Sequence, residues 1–239
     1  MKAFLMIGQS NMAGRGDFGE VEPIRNPRCF MLRNGRWQPM SEPVNPDRSI
    51  LEPIEGTENI HSGVSLAPSF ADAYAEAYQE EVGLIPCADG GTCIDQWRRG
   101  EVLFDHAVLQ TGLARRSAQL AGILWHQGES DSVSLERAAT YQEKLVAFFR
   151  DLREALGCGD VPVVMGELAD VSGFRNGLFR YHREVTAEIR RAAARIPRCA
   201  VVGVEGLTLR ADRAHFDSRS LRALGRRYFD AYQRLMREE

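Results

Sequence analysis

The chain has 239 residues, 44% hydrophobic and 26% charged, with a formal net charge of -3 at pH 7. That length suits one sizeable α/β domain able to bury a core without disulfide or metal support, and the composition is that of an ordinary globular protein, neither disordered nor membrane-embedded. No apolar run approaches the roughly 18 to 20 residues of a membrane helix, and the 30 basic residues, all arginine but for Lys2 and Lys144, form no block of five, which argues against a nucleic-acid partner.

The first apolar run begins almost at Met1, with no basic stretch and separate apolar segment ahead of it, so no signal peptide and a cytoplasmic location are expected; a mature secreted protein would read the same way. Cys29, Cys87, Cys93, Cys158 and Cys199 are odd in number and form no CxxC pair, which reads as free buried thiols.

Ala3 to Ile7 reads as a buried parallel strand that ends in Gly8-Gln9-Ser10-Asn11-Met12. Gly8 permits a tight turn there, and the C-terminal edge of such a strand is where open α/β sheets hold ligands. Ser10 is therefore the candidate nucleophile. Residues 13 to 62 form a long irregular excursion, crowded with proline between Pro23 and Pro53. A hairpin signal, Asn34-Gly35, lies in it between segments 29–33 and 36–40. The excursion leaves from beside Ser10 and is expected to wall one side of a substrate cleft. Gly14 to Gly19 spells Gly-x-Gly-x-x-Gly, but the string starts well past the strand and runs toward Pro23 without opening a helix, so dinucleotide binding is not read from it.

Leu66, Phe70, Ala73, Tyr74 and Ala77 then recur at helical spacing. A second strand, Val82 to Pro86, runs into Cys87-Ala88-Asp89-Gly90-Gly91-Thr92. After a helix predicted over 105–118, a third strand, Leu120 to Trp125, leads into His126-Gln127-Gly128-Glu129-Ser130-Asp131. The stripe Leu135, Ala138, Leu145, Phe149, Leu152 and Leu156 predicts a helix over 134–156. Val161 to Met165 is a fourth strand, 176–195 a polar helix, Cys199 to Val204 a fifth strand, and 218–236 a last helix. Strands alternating with helices predict a parallel sheet, five-stranded here, with helices on both faces, in a single domain spanning 1–239.

A serine hydroxyl is inert without a base, an orienting carboxylate and donors for the oxyanion. Between the fifth strand and the last helix lies Asp212-Arg213-Ala214-His215-Phe216. On a turn, this spacing lets the Asp212 carboxylate reach one imidazole nitrogen of His215 and leaves the other free as general base. The loop after the fifth strand also lies at the same sheet edge as the loop after the first. Candidate oxyanion donors are the Ser10 backbone N–H, a backbone N–H of Gly90-Gly91 and the Gln127 side-chain amide, each following the C-terminal end of a strand.

Four ordered blocks now stand out: Gly8-Gln9-Ser10-Asn11-Met12, Gly90-Gly91-Thr92, Trp125 to Asp131, and Asp212 to Phe216. Together they resemble the SGNH hydrolase superfamily, and within it the carbohydrate esterase branch that includes acetyl xylan esterases and sialate O-acetylesterases. Gln9 stands where the superfamily more usually has Asp, and Gln127 where it has Asn, which is the pattern of that branch. The resemblance implies a flavodoxin-like three-layer α/β/α sandwich on a five-stranded parallel sheet. It implies Ser10 as nucleophile, His215 as base and Asp212 as orienting acid, with Ser10, Gly90 and Gln127 forming the oxyanion hole. Gly90 is preferred to Gly91 because related blocks read Gly-x-Ser/Thr. The implied reaction is removal of O-acetyl groups from a carbohydrate or similar small alcohol through an acyl-enzyme, without metal or cofactor. A broader esterase or thioesterase and a non-catalytic carbohydrate-binding relative are the alternatives.

Gln9, Asn11, Gly91, Glu129 and Trp97 are read as supporting or substrate-contacting residues. Trp97 is weighed as a sugar-stacking platform against a core position, and Trp125 as core. Glu129 and Asp131 are expected to hold Gln127 in place. His61, His106 and His182 share no metal-ligand spacing, and the serine mechanism assigns His126 no role.

Overall fold

A computed structural model describes residues 1–47, 50–52 and 61–237. In chain order the elements are β1 (Lys2–Gly8), α1 (Ser10–Ala13), β2 (Cys29–Arg33), β3 (Arg36–Pro39), α2 (Ala67–Tyr78), β4 (Val82–Pro86), α3 (Val102–Ala114), β5 (Gln119–His126), α4 (Leu135–Leu156), β6 (Val163–Gly166), α5 (His182–Ala193), β7 (Cys199–Val202) and α6 (Ser218–Arg237). The strands form one sheet of order β3-β2-β4-β1-β5-β6-β7. Every neighbouring pair is parallel except β2 with β3.

Among the described residues the sheet thus has seven strands where the sequence pattern predicts five. The extra two come from the hairpin, whose β2 pairs in parallel with β4 from Cys29↔Val82 to Met31↔Leu84. Asn34 and Gly35 both have positive φ, 53° and 70°, as the two-residue turn between twisted strands requires. Docking is possible because β4 carries Gly83. An ideal Cβ there would lie 2.5 Å from ring atoms of Trp37, so the indole occupies the space a side chain would fill.

β1 is the central strand, and its alternation divides the core between two faces. Phe4 and Met6 pack with Phe70 and Tyr74 of α2 and with Tyr228 and Tyr232 of α6. Ala3, Leu5 and Ile7 face the other way, toward Leu103 and Phe104 of α3, Leu145 and Phe149 of α4, and Val185 and Ile189 of α5. Helix α4 begins at an N-cap, Ser134, that accepts from Arg137 N–H, and it ends at Gly157 in the left-handed conformation. Helix α5 starts at His182 and not at 176, because Arg175, Asn176 and Gly177 all have positive φ, which an α-helix cannot contain. Helix α3 lies about one turn earlier than the spacing predicts, with turns over 115–117 leading directly into β5.

All five cysteines are free, with Cys29 and Cys87 buried and Cys93, Cys158 and Cys199 half-buried. Among the described residues, no helix is long and apolar enough to cross a membrane.

Candidate active site

Four loops meet at the C-terminal end of β1. At Gly8, φ is +133°, and an ideal Cβ would lie 2.2 Å from the His126 carbonyl oxygen, so the chain can pass the end of β5 only without a side chain. Gln9 N–H donates to that same carbonyl at 2.9 Å. Ser10 follows as the first residue of the short α1, its backbone N–H among the donors that a helix start leaves without an intrahelical partner. Ser10 is 8% exposed.

Asp212 and His215 sit on the loop between β7 and α6. The loop is pinched shut by the Leu209–Phe216 bridge and by Arg210 N–H donating to His215 O at 2.8 Å. His215 Nε2 lies 2.9 Å from Ser10 Oγ, and His215 Nδ1 lies 2.8 Å from Asp212 Oδ2. The other Asp212 oxygen accepts from the backbone N–H of Ala214 at 2.9 Å and of His215 at 3.0 Å, a turn that Asp favours by bonding its own downstream backbone. Burial raises the Asp212 pKa, but the bonds from the His215 ring and the two N–H groups outweigh it and hold the carboxyl well below the usual range. An ionised Asp212 keeps the imidazole proton on Nδ1, which leaves Nε2 able to accept the Ser10 proton.

Asn11 ties the two halves of this arrangement together. Its Nδ2 donates to Glu129 Oε1 at 2.6 Å and to Ala214 O at 3.1 Å, and its Oδ1 accepts from Phe216 N–H at 3.1 Å. Glu129 therefore supports the histidine loop through Asn11, and Asp131 is the carboxylate that bonds Gln127. The glycine turn approaches Ser10 from β4: an ideal Cβ on Gly90 would lie 3.7 Å from Ser10 Cβ and 2.6 Å from Arg15 Nη2. Gly91 is exposed, with φ of +73°. Asn45, from the long excursion, grips this turn by bonding both Ala88 N–H, at 3.1 Å, and Ala88 O, at 3.0 Å.

Two of the expected residues lie sealed inside the core. Gln127 is 0% exposed, and its Nε2 points at Asp131 Oδ2 (2.6 Å), Thr92 O (2.8 Å) and Gln9 Oε1 (3.1 Å), so two amide protons already face three acceptors. It has neither a proton nor an opening for a substrate oxygen. Its Oε1 lies 2.8 Å from the Tyr141 hydroxyl, which fixes the amide in this orientation. Trp97 is also 0% exposed. It packs edge-on against Trp125 at 5.5 Å and donates from Nε1 to Thr92 Oγ1 at 3.1 Å, so it props the glycine turn from inside the core.

Sequence reasoning missed Asn45 and Tyr141, which lie outside every recognisable block and reach the site only through tertiary contacts. His126 is 0% exposed, and burial holds it below the usual imidazole range against an opposing pull from Glu129. Tyr228 OH donates to Trp125 O at 2.8 Å and lies 2.9 Å from His126 Nδ1, which places the proton of the neutral ring on Nδ1. Among the described residues, no group of three His, Cys, Asp or Glu could hold a metal ion.

The model of the family described as SASA, carbohydrate esterase, sialic acid-specific acetylesterase, matches residues 1–234. The chain belongs to this family. It is a carboxylic ester hydrolase of the carbohydrate-esterase type. Its relatives include the probable carbohydrate esterase At4g34215 of Arabidopsis thaliana, 27% identical over 248 residues, 96% of this chain and 89% of that one. The X-ray structure of the Arabidopsis protein AT4G34215 aligns with this esterase at a TM-score of 0.83 and 26% identity over 98% of both chains. Two further structures share the fold at 18% identity. NanS aligns at a TM-score of 0.75 over 99% of this esterase and 98% of its own chain. XAC1771, a carbohydrate acetylesterase from Xanthomonas citri, aligns at 0.67 over 99% of this esterase and 56% of its own chain.

Proposed function

We propose that this esterase removes acetyl groups from an acetylated sugar by a serine mechanism in which Ser10 is the nucleophile, His215 the base and acid, and Asp212 the group that orients and stabilises His215. The observation that carries the reading is the unbroken hydrogen-bond chain from Ser10 Oγ through both nitrogens of His215 to Asp212. Ser10 Oγ attacks the acetyl carbonyl carbon as its proton passes to His215 Nε2. The tetrahedral oxyanion collapses, His215 gives the proton to the departing sugar oxygen, and the acetyl group stays on Ser10. Water, deprotonated by His215, then attacks the acetyl-serine and releases acetate. Backbone N–H groups of Ser10 and Gly90 stabilise the charge at both steps.

The family description, a sialic acid-specific acetylesterase, and the description of XAC1771 as a carbohydrate acetylesterase support acetyl as the acyl group and a carbohydrate as the alcohol. The test is hydrolysis of p-nitrophenyl acetate, butyrate and octanoate, followed by acetylated sugars, by wild type and Ser10→Ala. Acetate is the preferred aryl ester, and Ser10→Ala loses at least about a thousandfold in kcat/KM. A variant with wild-type turnover, or a preference for octanoate, contradicts the proposal.

A further inference from the structure

Besides the two backbone groups, a side-chain donor would further stabilise the carbonyl oxygen that gains charge when Ser10 is acylated, and Gln127, sealed and with its protons taken, is not placed to supply one. Gln9, immediately before the nucleophile, is in the opposite condition. Its Oε1 is approached by Gln127 Nε2 at 3.1 Å, Gly128 N–H at 3.3 Å and Ser130 N–H at 3.3 Å. Donors converging on one oxygen decide which way a carboxamide faces, so Nε2 is turned away from the 127–130 loop.

Gln9 as a whole is only 2% exposed. Its Nε2 nevertheless donates to no group among the described residues and is not one of the sealed, unpartnered side-chain atoms, so it keeps a small solvent contact on the residue next to the nucleophile. An almost wholly buried amide with its oxygen satisfied and its N–H bonds open is a poor arrangement for stability and a good one for an incoming acceptor, because those donors are already aimed and largely desolvated.

Building on the Ser10 mechanism above, we infer that Gln9 Nε2 is the side-chain donor of the oxyanion hole. Gln127 is then a positioning residue, locked by Asp131, Thr92 and Tyr141, that holds Gln9 in its orientation. The substitution of Gln for the superfamily's Asp in the first block acquires a chemical purpose: a carboxylate there could accept the loop N–H groups but could not donate to an oxyanion.

Gln9→Glu tests this, because Glu keeps the size of the side chain and the oxygen facing Gly128 and Ser130 while replacing the N–H bonds by an acceptor. kcat falls by about 10²- to 10³-fold, with KM changed by only a few-fold and the melting temperature retained. Affinity for a trifluoromethyl ketone, whose carbon Ser10 attacks to give a hemiketal oxyanion, falls by a similar factor. A Gln9→Glu variant with both quantities near wild type overturns the inference.

A second measurement uses the wild-type chain alone. In protein labelled with 15N at glutamine side chains, hemiketal formation moves the Gln9 amide proton resonances downfield and leaves those of Gln127 in place. The reverse pattern also overturns the inference. A Ser10→Ala variant that still turns over, or a wild-type chain that forms no hemiketal, removes the serine mechanism and the Gln9 assignment with it; an inactive Ser10→Ala beside a fully active Gln9→Glu removes the Gln9 assignment alone.

Discussion

Asn11 joins three parts of the chain with one carboxamide, bonding Glu129, Ala214 O and Phe216 N–H. It thereby fixes the position of His215, which lies between its two contacts on that loop. Asn11→Asp keeps the shape but turns the donor into an oxygen facing the Glu129 carboxylate and the Ala214 carbonyl. The 214–216 segment must then withdraw, and a displacement of even 1 Å between base and nucleophile costs about a hundredfold in rate. We expect kcat to fall by about that factor while KM changes little, measured on p-nitrophenyl acetate; an unchanged kcat would separate Asn11 from the positioning of His215. That Ser10, Asp212 and His215 meet is legible in the sequence, because each follows a strand end and the Asp-x-x-His spacing suits a turn. The donor state of Gln127 was not legible. It depends on Asp131, Thr92 and Tyr141, whose convergence on one amide is decided by packing between segments far apart in the chain.

Among the elements, the β2–β3 hairpin shows where pattern reading stops. Asn34-Gly35 announced a hairpin, and the five strands that alternate with helices announced a parallel sheet, but nothing in either pattern says that the two pair. The join depends on Gly83, whose missing side chain admits the Trp37 ring, and that is a contact between residues 46 positions apart. Gly83→Ala places a methyl group where the ring lies, so Trp37 has to move and the hairpin loosens from β4. The expected loss is about 1 to 3 kcal/mol, typical of overpacking, read as a shift in the denaturation midpoint together with a change in Trp37 fluorescence. An Ala variant as stable as wild type would show that the hairpin docks by other means. The start of α5 teaches a similar lesson: periodicity predicts helix from 176, and the positive φ values of Arg175, Asn176 and Gly177 hold it back to His182.

For the molecule as a whole, the support beneath the site should appear in its stability as a function of pH. Burial pushes the Asp131 carboxyl up to about 6, against the pull of its bonds from Gln127 Nε2 and Ile94 N–H. The folded chain therefore binds more protons at this group than the unfolded chain does between about pH 4 and pH 6, and the Asp131 contribution to stability falls as pH rises through that window. Relative to Asp131→Asn, wild type should lose roughly 2 kcal/mol between about pH 4 and pH 7, measured by urea denaturation at each pH; parallel curves for the two proteins would contradict the assignment. Asp212 has the opposite sign. Its folded-state pKa is depressed, so its contribution is present above about pH 4 and is lost as pH falls through the lower folded value. These linkages belong to the scaffold, while the chemistry proposed above rests on one oxygen atom, Ser10 Oγ. Acid-quenching the chain during turnover of p-nitrophenyl acetate and mapping the acetyl group by peptide mass spectrometry reads that atom's role. One acetyl group per chain is expected, on Ser10, and none trapped in Ser10→Ala; an acetyl group trapped on any other residue during productive turnover would overturn the serine mechanism.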